Sequence, residues 1–294
     1  MDDFSYHAPA TVAEAAALQA EGGATARFLA GGSDLFLALE RADPPVTRVI
    51  DLKGIPALAE IAVASDGGVR LGAAVTMAAI ERHDHLATRY PALAAAAAAV
   101  GGPPIRNRAT VGGNVCNASP AADTSPVLLA LGAMAVVAGP GGERELPLAG
   151  LWRGPGRITL APGELLCALR LPARPPRSGC GFQRLTRSAM DIAIVNAAAA
   201  VTLDGAGRIA SAAVALGAVG PTVLAVAGLK EALAGSPPDD ETLARVERLA
   251  AAAARPIDDH RASAAYRREM AGVMARRAMA EAWQRAQAAP GEAA

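Results

Sequence analysis

Two glycine loops, Ala30-Gly31-Gly32-Ser33-Asp34-Leu35 and Thr110-Val111-Gly112-Gly113-Asn114, place Gly32 and Gly112 80 residues apart. The second runs on through Cys116 into Asn117-Ala118-Ser119-Pro120-Ala121-Ala122-Asp123. Convergent backbone N–H groups satisfy phosphate oxygens, and they approach closely where no Cβ intervenes, so paired glycines at strand-to-helix turns suit a diphosphate. A clamp of two such loops, closed by a carboxylate, is the chemistry these residues describe. The chain holds no G-x-x-x-x-G-K-[ST] motif, and Gly31-Gly32 lacks the G-x-G-x-x-G spacing of a dinucleotide-binding βαβ unit. A two-loop flavin site ranks above both.

The elements that must position these loops are readable around them. Thr11-Val12-Ala13-Glu14 has the capping-box pattern of a helix running to about Glu21, where Gly22-Gly23 ends it. The segment 27–30 reads as a strand feeding the first loop, Ser33 or Asp34 caps a short helix, and 49–52 is the next strand. A first boundary falls at Gly54. Hairpins follow at 61–73 and 133–148, helices at 77–83, 91–100 and 125–131, and a strand at 165–171. Gly101 to Asp123 carries Gly-Gly twice and Pro-Pro once, which predicts an irregular functional loop. After the proline-rich stretch 172–176, segments 181–187, 192–203 and 208–217 read as an antiparallel meander. Three helices, at 222–233, 240–254 and 263–287, close the chain. The division is 1–54, 55–173 and 174–294.

With 294 residues, the chain exceeds what one modest core needs. Hydrophobic residues make up 52% and aromatics only 3%, so burial must come from Ala, Val and Leu in closely packed layers. Twenty-eight basic residues balance 28 acidic ones, which removes the case for electrostatic capture of nucleic acid or anionic lipid. Three cysteines cannot hold an iron–sulfur cluster, which needs four thiolates, and their odd number and wide spacing suit a reducing compartment. The start Met1-Asp2-Asp3 puts acid where a signal peptide carries base, and the alanine run 92–100 is far short of the roughly 20 apolar residues that cross a bilayer. A cytoplasmic protein without a transmembrane segment is the expectation.

In Ala30-Gly31-Gly32, the block Thr110–Asp123 and Arg184-x-x-Arg187-x-x-x-Asp191-Ile192-Ala193, the chain resembles the FAD-binding medium subunit of the molybdenum hydroxylases, represented by carbon monoxide dehydrogenase and xanthine dehydrogenase. The likeness covers nearly the whole length. It implies an α+β chain: a two-subdomain FAD-binding fold of the vanillyl-alcohol oxidase/PCMH type, followed by a domain of antiparallel sheet and helices. It implies noncovalent FAD held by Ala30, Gly31, Gly32, Ser33, Asp34 and Leu35, by Thr110, Gly112, Gly113 and Asn114, and by Cys116, Asn117, Ser119 and Asp123. Amides of the two loops would face the pyrophosphate, and Ser119 and Asp123 the sugar hydroxyls. Phe182 and Arg184 would lie on the flavin-ring side, Phe182 being equally readable as a core residue. The family pattern Lys-x-x-Arg-Arg-x-x-Asp-Ile-Ala is broken here by Ser188.

The resemblance further implies an oxidoreductase subunit that is inactive alone on an organic substrate. Molybdopterin and [2Fe–2S] clusters would belong to a large and a small partner subunit, in a dimer of heterotrimers, with NAD, quinone or oxygen as acceptor. Two other readings compete: a self-contained flavin oxidase of the vanillyl-alcohol type, and a ligand-binding scaffold subunit without flavin. Cys116 suits packing better than redox chemistry, and the His83-x-His85 pair reads as a polar helix end rather than a metal site.

Overall fold

In the computed structural model, which describes residues 3–289, three main sheets succeed one another along the chain. The first unit contains β1 (Ser5–His7), α1 (Val12–Gly22), β2 (Ala26–Leu29), α2 (Leu35–Leu39) and β3 (Arg48–Asp51). Its three strands pair in parallel in the order β1-β3-β2. Helix α1 starts where the capping box requires. The Thr11 hydroxyl accepts from Glu14 N, the Glu14 carboxylate accepts from Thr11 N, and Gly23 ends the helix at φ 49°. Neither Ser33 nor Asp34 caps α2 with its side chain.

The second unit comprises β4 (Ile61–Val63), β5 (Val69–Gly72), α3 (Met77–Arg82), α4 (Asp84–Arg89), α5 (Pro91–Ala98), α6 (Pro103–Arg106), α7 (Val111–Cys116), α8 (Thr124–Ala130), β6 (Met134–Gly139), β7 (Gly142–Pro147), the small hairpin β8 (Trp152–Gly154) and β9 (Arg157–Ile158), and β10 (Leu165–Leu171). Its main sheet is antiparallel, in the order β4-β5-β10-β6-β7. The predicted irregular loop over 101–123 is corrected: it contains α6 and α7. Pro103 and Pro104 occupy the first helical positions, where a missing N–H costs nothing, and Thr110 caps α7 by accepting from Gly113 N.

In the third unit, β11 (Ser178–Leu185), β12 (Val195–Leu203), β13 (Ile209–Gly217) and β14 (Leu224–Ala225) form the predicted meander, followed by α9 (Leu229–Leu233), α10 (Asp240–Ala253) and α11 (Ala264–Ala288). The helix expected over 222–233 is shorter, because Leu224 and Ala225 pair with β13 and Gly228 turns at φ 70°. Both faces of this sheet are covered. Val195, Ala197, Ala199 and Val201 pack with α10 and α11, while Ala198, Ala200, Cys180 and Phe182 join the core of the second unit. The continuous burial of β12 explains its apolar run. A Cβ on Gly179 or Gly181 would run into the carbonyls of Ala282 or Ala278, so α11 lies directly on the strand. The first and second units also share a core, in which Ala15 and Ile50 meet Leu58, Ala74 and Leu165.

Candidate functional site

The first loop leaves the carboxyl end of β2 in a parallel sheet, where open α/β units expose their binding crevices. It lies against the segment preceding the second. Gly31 is required there, because a Cβ would collide with the Arg108 carbonyl oxygen, and Gly32 turns the chain at φ 79°. Asn117 Nδ2 donates to Asp34 Oδ1 across the gap at 3.3 Å, and Ser33 Oγ donates to Asp34 Oδ2 at 3.1 Å. The two loops, 80 residues apart in sequence, are thus neighbours.

Their amides differ in availability. In the second loop, Val111 N donates to Val75 O, Gly112 N to Ala73 O, Gly113 N to Thr110 Oγ1 and Asn114 N to Thr110 O. Those four N–H groups are spent within the protein, which corrects the expectation that this loop offers a row of amides to an anion. Its glycine pair serves another end: the Gly112 hydrogen faces Ala73, so α7 seats on the end of β5. In the first loop, the N–H groups of Gly31, Gly32, Ser33 and Asp34 have no acceptor among the described residues. Four successive unspent donors in a turn form a cradle that fits a diphosphate, and the second loop supplies its wall.

Beyond α7 the chain is held in an unusual path. Ala118 takes φ 48°, its carbonyl accepts from Gly156 N, and Trp152 Nε1 donates to Val115 O. Ser119 Oγ accepts from Ala121 N, and Asn114 Oδ1 accepts from Thr124 Oγ1 at 2.7 Å. Cys116 packs at the edge of the main core, and burial pushes its thiol up to about 12. Burial thus holds the thiol in its protonated, less reactive form at neutral pH. Leu35 packs under the first sheet with Leu29 and Val49.

Asp123 is 7% exposed, and its partners are in the third unit. Its Oδ1 accepts from Asn196 Nδ2 at 3.0 Å and lies 3.1 Å from Arg184 Nε. Arg184 on β11 and Asn196 on β12 are directly paired across strands, so both side chains leave the same face. Burial raises the Asp123 carboxyl from its ordinary 3.8 to about 6, against the lowering influence of Arg184 and Asn196. The Arg184 guanidinium also donates to the carbonyls of Ala99, Ala189 and Asp191. Asp123 therefore locks the flavin block to the third unit, a role that its assignment to sugar hydroxyls did not include. Phe182, two residues from Arg184, is buried with Cys180 and Ala198, so the core reading holds for it. Arg187 pairs with Asp191 at 2.7 Å on the surface.

Sequence reasoning missed Asn196. Its signal was a single amide in the otherwise apolar run 195–201 of a strand buried on both faces, a position where a polar side chain must have partners.

The FAD binding domain in molybdopterin dehydrogenase matches residues 2–174, and the CO dehydrogenase flavoprotein C-terminal domain matches 181–282. The chain is 32% identical over 285 residues to the xanthine dehydrogenase FAD-binding subunit of Escherichia coli O157:H7, covering 96% of this chain and 97% of that one. It is 34% identical over 284 residues to the carbon monoxide dehydrogenase medium chain of Afipia carboxidovorans, covering 96% and 98%. Reconstituted CO dehydrogenase from Oligotropha carboxidovorans superposes with a TM-score of 0.91 at 34% identity, covering 96% of this chain and 98% of that chain. For quinoline 2-oxidoreductase from Pseudomonas putida 86 the TM-score is 0.88 at 30% identity, covering 96% and 98%. The chain belongs to the FAD-binding subunits of the molybdopterin dehydrogenases.

Proposed function

We propose that this polypeptide binds FAD noncovalently and is the electron-exit subunit of a multi-subunit molybdenum hydroxylase. The observation that carries the site is the row of unspent amides from Gly31 to Asp34, closed against the second loop by Asn117. In this reading Gly31, Gly32, Ser33 and Asp34 hold the diphosphate. Thr110, Gly112 and Gly113 shape the opposite wall, and Asn114, Asn117 and Ser119 offer side-chain groups to the nucleotide. Arg184 from β11 and Asp123 from the start of α8 brace the ring side. Units 1–54 and 55–173 enclose the cofactor and 174–294 completes its far side.

FAD, when bound, accepts electrons singly and returns them in pairs, which suits a junction between iron–sulfur clusters and a two-electron acceptor. The chain's own residues bind and orient it and exclude water; no acid–base step on an organic substrate is required of them. The partners proposed are a small [2Fe–2S] subunit and a large molybdopterin subunit in a dimer of heterotrimers, with NAD, quinone or oxygen as acceptor and the cytoplasm as compartment. Among the described residues no helix is long and apolar enough to cross a membrane.

Affinity purification of the tagged chain from its native cell, followed by mass spectrometry, metal analysis and flavin extraction, tests the reading. It should recover two partners carrying iron and molybdenum, with FAD released by acid. Recovery of the chain alone, with substrate-dependent flavin reduction by the single polypeptide, would establish the self-contained oxidase instead.

A further inference from the structure

At the end of β11 away from Arg184, a concavity of about 370 Å³ opens between the last turn of α4, the start of the strand and the last turn of α11. Three guanidiniums line it: Arg89, Arg174 and Arg285. Each is held by a backbone carbonyl. Arg89 Nη2 donates to Arg174 O at 2.7 Å, Arg174 Nη2 to Gly179 O at 2.9 Å, and Arg285 Nη1 to Cys180 O at 2.6 Å. Strand β11 is at the edge of its sheet, and the Arg285 contact caps the outward-facing Cys180 carbonyl on that edge.

Edge capping accounts for one N–H of Arg285. It does not account for three cations side by side. Among the described residues the only carboxylate in ion-pair contact with any of them is Glu281, 2.7 Å from Arg285 Nη2. The other titratable neighbours of Arg174, Tyr90 and Cys180, have pKa values raised chiefly by burial and are neutral at physiological pH. Burial lowers the Arg174 guanidinium from its ordinary value, and Arg89 pushes in the same direction. Three positive charges and one negative leave the concavity with a net charge of +2. A guanidinium carries five N–H donors, and each of these spends at most two on the protein. The remaining donors have no acceptor of matching charge.

We propose that this concavity is a binding site for a dianionic phosphate group, gripped by Arg89, Arg174 and Arg285. A phosphate carrying close to two negative charges at neutral pH balances the excess, and its oxygens match the planar forks of the arginines. No aromatic side chain lines the concavity among the described residues, so a nucleobase has nothing to stack on. The ligand is phosphate itself or a small non-aromatic phosphate ester. Gly179 and Arg184 are five residues apart on one strand, about 17 Å at the usual rise, so the concavity is separate from the Arg184–Asp123 pair.

The test is calorimetric titration of the purified flavin-containing complex with inorganic phosphate and, separately, with glycerol 3-phosphate, at constant ionic strength. One site per chain is expected. Arg89→Gln, at a half-exposed position, should weaken it by about tenfold or more while the flavin absorbance stays the same. Phosphate should also protect Arg89 and Arg174 of the unmodified protein from phenylglyoxal, read by peptide mass mapping, which does not depend on any variant folding. Tighter binding of the ester identifies an ester ligand, and equal binding identifies free phosphate; either supports the site. Absence of both heat and protection, or Arg89→Gln binding as tightly as wild type, overturns it.

Discussion

Asp123→Asn isolates the balance between burial and charge pairing at the lock between the flavin block and the third unit. The carboxyl is raised from 3.8 to about 6, so burial outweighs Arg184 and Asn196. Because the folded pKa lies above the unfolded one, the fold prefers the protonated acid. Its contribution to stability is full below about pH 4, declines as pH rises through about 6, and is flat above. A shift of about two units at 1.36 kcal/mol per unit corresponds to about 3 kcal/mol. Asparagine does not titrate, keeps an oxygen for Asn196 and Arg184, and lacks this pH-dependent loss. The stability difference, variant minus wild type, should therefore grow by about 3 kcal/mol between about pH 4 and pH 8. Urea unfolding of the flavin-free chain, followed by circular dichroism across that range, measures it. A difference that stays constant, or that shrinks as pH rises, would show that the Arg184 pairing dominates and would refute the reasoning.

Gly31→Ala should lose flavin while keeping the fold, because the new Cβ meets the Arg108 carbonyl and pushes the cradle off the second loop; flavin absorbance per chain, beside an unchanged circular dichroism spectrum, checks this. Arg267→Met removes a buried guanidinium that donates to the carbonyls of Ile194 and Ala218 and pairs with Asp259 at 2.7 Å. A cost of about 3 kcal/mol in urea unfolding is expected, and a loss under about 1 kcal/mol would assign those carbonyls to other donors. Cys116, with its thiol at about 12, should escape iodoacetamide in the native protein at neutral pH and react once urea is added. Rapid native alkylation in the peptide map would show a different environment.

Much of this fold is legible because local signals agree with the tertiary outcome. The capping box at Thr11, the strand 165–171 and the third-unit meander each carry their own period or punctuation. The failures share a cause. Pro103-Pro104 and Gly112-Gly113 read as breakers by propensity, yet the prolines begin a helix and Gly112 lets another seat on Ala73. β1 is only three residues long and exists through its parallel pairing with β3, some 40 positions away, which no local window contains. At the candidate site the two glycine loops are neighbours, but the division of labour between them depends on which amides already have acceptors. Val75 and Ala73, which accept from the second loop, are more than 30 residues upstream of it.

That division gives the site its logic. A clamp in which both loops had unspent amides would be two mobile turns, each needing the ligand to order it. Here the second loop is a capped helix start, bonded to the segment after β5 and tied through Asp123 to Asn196 and Arg184. Only the first loop keeps donors in reserve, and Gly31 presses it against that fixed wall. The polar lock is made by other residues than the cradle. Pro120 O accepts from Ala218 N, and Arg267 holds the Ala218 carbonyl, so the long helix α11 braces the flavin block through β13. A chain built from alanine-rich layers with few aromatics has little bulk with which to fix such a junction by packing alone. Directed hydrogen bonds between successive units supply the rigidity that holding a cofactor at a fixed distance from electron donors requires.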